Sequence, residues 1–156
     1  MLWKYLIVFL VSMVPLIELR GAVPIATLSL GLPEIPSLII AVIGNMVPVP
    51  FIFLFARKIL EWGKDKKYIG KFFTWCLKKG EKGGKKLQKK AGKSIYWALF
   101  LFVGIPVPGT GAWTGTLAAS ILNLDFKKTV LAALAGVLLA GCIMLAVSMG
   151  ALSFLG

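Results

Sequence analysis

Two uncharged apolar runs constrain the fold of this chain more than any other feature. They are residues 35–56 and 129–156, which are 22 and 28 residues long. A helix needs about 20 apolar residues to cross the hydrocarbon core of a bilayer, so each run is long enough for one complete span. With 58% hydrophobic residues and a mean hydropathy of +0.88, the 156-residue chain is too apolar for a soluble domain. The sequence therefore predicts an all-α integral membrane protein.

The remaining apolar sequence is interrupted by two stretches rich in proline and glycine. The first, PLIELRGAVP, carries Glu18 and Arg20, and the second is GIPVPGTGAWTG at Gly104–Gly115. Next to these breaks lie short apolar segments, 21–31, 94–104 and 111–122, of 11, 11 and 12 residues. As helices they are about 16–18 Å long, roughly half the apolar thickness of a membrane. We therefore expect two re-entrant helical hairpins, over 2–32 and 94–123, each entering and leaving on one side.

A weak internal repeat appears when the chain is aligned with itself at an offset of 92 residues. The turn at 30–32 then falls on 122–124, and Gly44 falls on Gly136. Each half has the same plan: 1–56 contains the hairpin 2–32 and a transmembrane helix 35–56, and 94–156 contains the hairpin 94–123 and a transmembrane helix 126–150. Because each half crosses the membrane once, the two halves are expected to have opposite orientations. This is an inverted repeat.

Positive charge is concentrated between the two halves. Of the 18 basic residues, all but Lys4, Arg20, Lys127 and Lys128 lie between Arg57 and Lys93. By the positive-inside rule the loop 57–93 is cytoplasmic and both termini are outside. Re-entrant hairpins put Lys127 and Lys128 inside as well, whereas four ordinary spans would put them outside. The charge distribution therefore favours hairpins.

The basic loop also contains interleaved apolar side chains, which predict an amphipathic helix on the anionic inner leaflet. They are Trp62, Tyr68, Phe72, Phe73, Trp75 and Leu77. Expected partners are membrane lipids, with anionic lipids at this loop, and not nucleic acid.

The two breaks are the predicted substrate site. A helix start leaves backbone N–H groups unpaired and attracts anions, and glycines at 21, 109 and 111 permit close approach. Arg20 supplies a planar cation suited to phosphate or carboxylate. The other candidate binding residues are Thr110 and Thr114 as hydroxyl donors and Trp113 as an apolar wall.

Glu18 is the candidate for ion coupling, because ionisable groups inside a membrane are functional candidates. Poor solvation and pairing with Arg20 act on its proton affinity in opposite directions. The structural alternative is that Glu18 and Arg20 form an ion pair that fixes the hairpin tip, or bond free backbone groups. Both roles are compatible.

Several features have a structural interpretation or exclude a function. Asn45, Pro48 and Pro50 predict a hinge or kink in the first span, and the stripe of small residues at 132, 136 and 140 predicts close helix packing. The chain has no histidine and its two cysteines lie in different environments, so no metal site is expected. No nucleophile–base pair or carboxylate cluster is present, and neither an enzyme nor a cofactor is expected.

The stretches ELRGAVP and PVPGTGAWTG resemble the small multidrug export protein family, a relative of the DedA superfamily of membrane proteins. The resemblance implies a re-entrant-hairpin transporter fold in the inner membrane of a prokaryote. DedA relatives are linked to flipping of lipid phosphates such as undecaprenyl phosphate, coupled to proton or sodium gradients. By motif position the resemblance carries functional roles to Glu18, Arg20, Pro108, Gly109 and Gly111. Unlike DedA proteins, this chain has no acid or arginine in its second hairpin.

Three functions follow as hypotheses. The first is a small secondary transporter or lipid flippase for an anionic, phosphate-bearing substrate. The second is a proton-coupled exporter of cationic amphiphiles that uses Glu18 to recognise the cation. The third is a non-transporting assembly protein that docks partners on its basic loop. Because two full spans scarcely enclose a substrate path, we expect a homo-oligomer, with a dimer favoured.

Overall fold

The computed structural model describes residues 1–75, 78, 82, 92, 94–107 and 110–156, and these residues form helices and connecting turns without a strand. The all-α prediction is confirmed for this part of the chain. Most of the predicted loop beyond residue 75 lies outside the described residues.

Seven helices account for the architecture of the two described halves. The first half contains α1 (Leu2–Met13), α2 (Glu18–Pro24), α3 (Glu34–Met46) and α4 (Pro48–Gly63). The second half contains α5 (Ser94–Gly104), α6 (Ala112–Ile121) and α7 (Phe126–Leu155). Residues 70–75, in the intervening segment, are helical too.

The first break is shorter, and begins earlier, than the sequence predicts. It spans only residues 14–17, so Glu18, Arg20 and Gly21 lie in the first turn of α2 and not between helices. The α-helix α2 ends at Pro24, but the chain does not leave the helical path there. The chain instead continues as a π-helical turn at Ile25–Ser29, a common way to accommodate a local disruption of the α-helical bonds.

Each broken apolar segment returns to the level at which it started. In the first half the Lys4 ammonium donates to the carbonyl of Leu30, over 2.9 Å. In the second half the backbone N–H of Asp125 donates to the hydroxyl of Tyr96, over 3.0 Å. The two ends of each segment are therefore neighbours, so both segments are helical hairpins.

The hairpins pack in a crossed arrangement. In each half the first arm lies along the following long helix, α1 on α3 and α5 on α7. The second arms also cross to the other half, α2 onto α7 and α6 onto α4. Ser120, on α6, donates to the carbonyl of Phe53 over 2.7 Å. The two halves thus share one packed interior.

Positions aligned by the internal repeat have similar environments. Gly31 and Asn123 both adopt the left-handed conformation, with φ of 61° and 57°, which glycine and asparagine tolerate best. Gly44 lies against the carbonyl of Phe9, and Gly136 lies against the carbonyl of Phe100. Each long helix therefore approaches the first arm of its own hairpin at a glycine.

Two helical segments of 30 residues are long and apolar enough to cross a membrane, Glu34–Gly63 and Phe126–Leu155. They contain the predicted spans 35–56 and 126–150. The first is interrupted at Val47, because Pro48 cannot donate a backbone hydrogen bond. Their outer faces carry exposed apolar side chains, such as Ile39, Leu131 and Val147. Such a surface is typical of contact with lipid and not with water.

Lys127 and Lys128 lie at the end of the bundle where α4 ends. Arg57, on α4, donates to the carbonyl of Ile121 over 3.4 Å. The rings of Phe53 and Phe126 meet edge to face with centroids 5.4 Å apart. Because α7 begins there, residues 127 and 128 lie at the same end of the molecule as the start of the basic loop.

We expect Gly136→Ala to destabilise the bundle. A methyl group at this position would lie 2.8 Å from the carbonyl oxygen of Phe100 and 2.7 Å from Cβ of Val103. Relieving these overlaps requires the backbone of α5 to shift, which costs free energy. The expected loss is about 1–3 kcal/mol, as for other overpacked sites, measured as a lower unfolding temperature in detergent. Gly150→Ala on the same helix is the control, since nothing lies within 4 Å of its added methyl group. Equal unfolding temperatures for the two variants would contradict the packing described here.

Candidate functional site

The two breaks in the helices lie next to each other, although residues 14–17 of the first break are exposed. The indole N–H of Trp113, at the start of α6, donates to the carbonyl of Met13, at the end of α1, over 3.1 Å. We call the contact of residues 13–20 with residues 103–107 and 110–113 the tip contact. It joins segments about 90 residues apart in the sequence, and both charged residues of the first break take part in it.

Glu18 caps the second arm of the opposite hairpin. One carboxylate oxygen accepts the backbone N–H of Trp113 over 3.0 Å, and the other accepts that of Ala112 over 3.3 Å. These N–H groups belong to the first two residues of α6, which have no partner within their own helix. A negative charge at this position also interacts favourably with the helix dipole. Glu18 is only 4% exposed, so its buried carboxylate satisfies buried donors.

The backbone before and at Glu18 is unusual. Leu16 and Glu18 both have positive φ, 76° and 52°, a conformation that disfavours side chains with a Cβ. Such conformations persist where surrounding contacts hold them. In this chain the two bonds from α6 to the Glu18 carboxylate supply that restraint.

Arg20 caps the first arm of the same opposite hairpin. Its Nη1 donates to the carbonyl of Val107 over 2.6 Å, and its Nη2 donates to the carbonyls of Val103 and Ile105, each over 3.1 Å. Nη2 also donates to the Thr110 hydroxyl over 2.9 Å. The carbonyls lie at the end of α5 and just beyond it, where helical partners are missing and a positive charge is favourable.

Glu18 and Arg20 therefore bind the two helix ends that flank the second break. Glu18 and Arg20 form no direct ion pair within 4.0 Å, although both lie in the described part of the chain. Each bonds backbone groups of the opposite hairpin instead. Of the structural alternatives raised by the sequence, the geometry corresponds to bonding of free backbone groups.

A cavity of about 360 Å³ lies beside the tip contact. Its wall brings together Glu18, Arg20, Gly21, Thr110 and Thr114, all of which are predicted site residues. Pro106 and Met144 also line it, and sequence reasoning missed both. Met144 lies in the middle of an uninterrupted apolar helix, where nothing in the sequence distinguishes it from its neighbours. The carbonyl acceptors of Arg20 likewise have no sequence signature.

Other predicted site residues have different surroundings. Gly111 lies directly against the Glu18 carboxylate and has φ of 152°, and Trp113 contributes its backbone and indole N–H groups to the tip contact. Pro108 and Gly109 lie outside the described residues.

The predicted hinge residues do not line the cavity. Asn45 is buried, and its side-chain oxygen has no hydrogen-bond partner among the described residues, so that oxygen does not satisfy the interruption at Val47. Pro48 and Pro50 lie in the first turn of α4, where proline is tolerated.

We expect Gly111→Ala to disrupt the tip contact. Any Cβ at this position would overlap the Glu18 carboxylate, and the backbone conformation also disfavours a side chain. The substitution should lower the free energy of unfolding by about 2 kcal/mol or more, seen as a lower unfolding temperature in detergent. An unchanged temperature would contradict the placement of Glu18 against this glycine.

Glu18→Gln should also destabilise the protein, because an amide presents one acceptor oxygen where the carboxylate presents two. One N–H of α6 would face an NH₂ group, at an expected cost of about 1–3 kcal/mol. Glu34→Gln is the matched control, because Glu34 is in the first turn of α3 and makes no side-chain hydrogen bond with a described residue. Unfolding in detergent measures both variants. A loss no greater than that of the control would show that the carboxylate contacts contribute little.

Comparison with known proteins assigns the chain to a family. No curated protein and no solved structure matches the chain. The family model described as "Putative small multi-drug export protein" matches residues 18–143. The match begins at Glu18, directly after the first break, and covers the second break and residues 126–143 of α7. That description suggests a membrane transporter, in agreement with the apolar helices. The chain therefore belongs to the small multi-drug export protein family.

Proposed function

We propose that the protein is a secondary membrane transporter whose substrate is anionic and phosphate-bearing, bound in the cavity beside the tip contact. The observation that carries this proposal is that the hydrogen-bonding capacity of Glu18 is occupied by backbone groups, whereas that of Arg20 is only partly occupied. The Glu18 carboxylate is buried, and both of its oxygens accept backbone N–H groups. Arg20 is only partly buried and lines the same cavity.

Arg20 has donors to spare. A guanidinium group has five N–H donors, and its bonds to described residues use Nη1 and Nη2 but not Nε. The cavity wall adds the exposed hydroxyl of Thr114 and the backbone next to Gly21. A site with spare donors and a planar cation suits a phosphate or carboxylate better than a cation.

The proposed membrane placement is an inverted repeat of two re-entrant hairpins. Two observations support it: the ends of each hairpin are neighbours, and Glu18, Gly111 and Ala112 are buried where the two tips meet, although residues 14–17 are exposed. Irregular backbone at membrane depth is tolerated only where protein or water covers it. We place the protein in the inner membrane of a prokaryote, with the end that carries Lys127, Lys128 and the basic loop in the cytoplasm. Both termini are then outside.

Glu18 is the proposed coupling group. Protonation would remove the negative charge at the start of α6 and weaken its two bonds to the backbone. The released N–H groups would then be available to a substrate anion, in the manner of other helix N-termini. Substrate binding and protonation would thus favour the same rearrangement of the tip contact. Because the chain has two long spans, we propose that a homodimer encloses the path.

The proposal extends to lipid-linked phosphates because the family that the sequence resembles is taken as a relative of the DedA superfamily. The test is translocation of a fluorescent polyprenyl phosphate in proteoliposomes. Arg20→Ala should slow it at least tenfold, since a bidentate phosphate contact contributes about 1.5–3 kcal/mol. Arg20→Lys should restore only part of the rate, and Lys127→Ala, remote from the cavity, should leave it unchanged.

The same variants distinguish the other hypotheses. The family description names drug export, and our second hypothesis makes the drug a cation, so ethidium transport is measured in parallel. Loss of ethidium transport in Glu18→Gln with retention in Arg20→Ala would favour the cation exporter and reject the anion site. Unchanged substrate dependence in both variants would remove both transport assignments to this cavity. Activity that instead requires residues 64–93 alone would favour an assembly protein.

A further inference from the structure

A second cavity, far from the tip contact in sequence, has no role in the proposed transport site. It lies where the chain leaves α4, has a volume of about 430 Å³, and is lined mainly by lysines. Its wall contains Lys64, Lys66, Lys71, Lys78, Gly70 and Thr74. We infer that this lysine cleft binds the phosphate headgroup of an anionic phospholipid.

Close backbone contacts hold the cleft in shape. Gly70 packs against the backbone carbonyl of Lys64, and Gly63 packs against the ring of Phe73, so closely that a Cβ at either glycine would overlap its neighbour. Backbone hydrogen bonds from Lys66 to Gly63 and from Gly70 to Lys66, of 3.0 and 2.9 Å, close the turn. The lysines on both sides of the turn therefore line one cavity. That cavity is formed before a ligand binds.

Charge around the cleft favours an anion. The acidic residues of the described segment 57–75 are Glu61 and Asp65. Glu61 already pairs with Arg57 over 3.3 Å, and neither acid lines the cleft. Four lysines line this one cavity; their positive charges repel one another, and a phosphate would relieve that repulsion.

Exposed aromatic side chains next to the cleft indicate that the anion belongs to a membrane. Trp62, Tyr68, Phe72 and Trp75 are between 56% and 92% exposed, although large apolar side chains of this kind are normally covered. The ammonium of Lys66 lies 4.2 Å from the centroid of the Trp62 ring. Aromatic rings beside basic groups are typical of segments that lie at the headgroup level. The cleft also directly follows the candidate span Glu34–Gly63, so its position fits the membrane boundary.

The test uses the full-length protein in a neutral detergent, titrated with phosphatidylglycerol and, separately, with phosphatidylcholine of the same acyl chains. Bound lipid is counted by native mass spectrometry. The wild type should bind phosphatidylglycerol at least tenfold more tightly. The double variant Lys64→Gln/Lys71→Gln should bind it about 25-fold more weakly, since each lysine near an anionic surface contributes roughly a fivefold factor.

The matched control is Lys58→Gln/Lys127→Gln, which removes two positive charges at the same end of the molecule but outside the cleft. Its affinity should change less than threefold. Equal losses in the two double variants would show a diffuse charge effect and overturn the inference. So would equal binding of the two lipids, or displacement of phosphatidylglycerol by 10 mM inorganic phosphate, which would identify a site for a small free anion.

Gly70→Ala tests the shape of the cleft at constant charge. The added methyl group should displace the turn and weaken phosphatidylglycerol binding several-fold, whereas unchanged binding would contradict a preformed cleft. These binding measurements do not depend on transport. A negative result would therefore reject the lipid site without rejecting the proposed transport function, and the reverse also holds.

Discussion

The rest of the fold depends on how the ends of four short helices are satisfied inside the bundle. A break in an apolar helix leaves backbone N–H and C=O groups without helical partners, and lipid offers no hydrogen bonds to replace them. The first hairpin contributes Glu18 to the start of α6 and Arg20 to the end of α5. A carboxylate accepts and a guanidinium donates, so each side chain suits the helix end that it meets. This exchange explains why two charged residues lie in an otherwise apolar segment.

The two hairpins contribute different groups to the tip contact, and this difference bears on the proposed function. One hairpin supplies both charges, and the other supplies the unpaired backbone and the glycine, Gly111, that leaves room for the carboxylate. A rearrangement of one hairpin must therefore release charged groups on the other. Transporters built from broken helices place their binding sites at such junctions. The cavity beside Arg20 makes this junction the strongest candidate for the substrate site of a small multi-drug export family member.

The molecule also carries two distinct kinds of positive charge. Arg20 lies inside the bundle, where it is held by fixed carbonyl groups and faces a small cavity. The lysines of the cleft lie at one end of the bundle, beside exposed aromatic rings and close to the start of α7. A partly buried guanidinium held by fixed acceptors suits one oriented anion, whereas surface lysines suit a headgroup at a membrane boundary. The two proposed sites would therefore differ in the anion they select.

The sequence by itself determined the fold class and the list of candidate site residues. Uninterrupted apolar runs predict long helices, because only helices satisfy their own backbone in lipid, and glycine, proline and charge mark the breaks. The sequence also identified Glu18 and Arg20, since charge inside apolar sequence is conspicuous. Only the tertiary structure decided that these residues cap the opposite hairpin, that the first break ends before Glu18, and that Met144 lines the cavity. Those features depend on backbone groups and packing between segments about 90 residues apart, and neither a carbonyl oxygen nor a helix-to-helix distance is encoded in any local pattern.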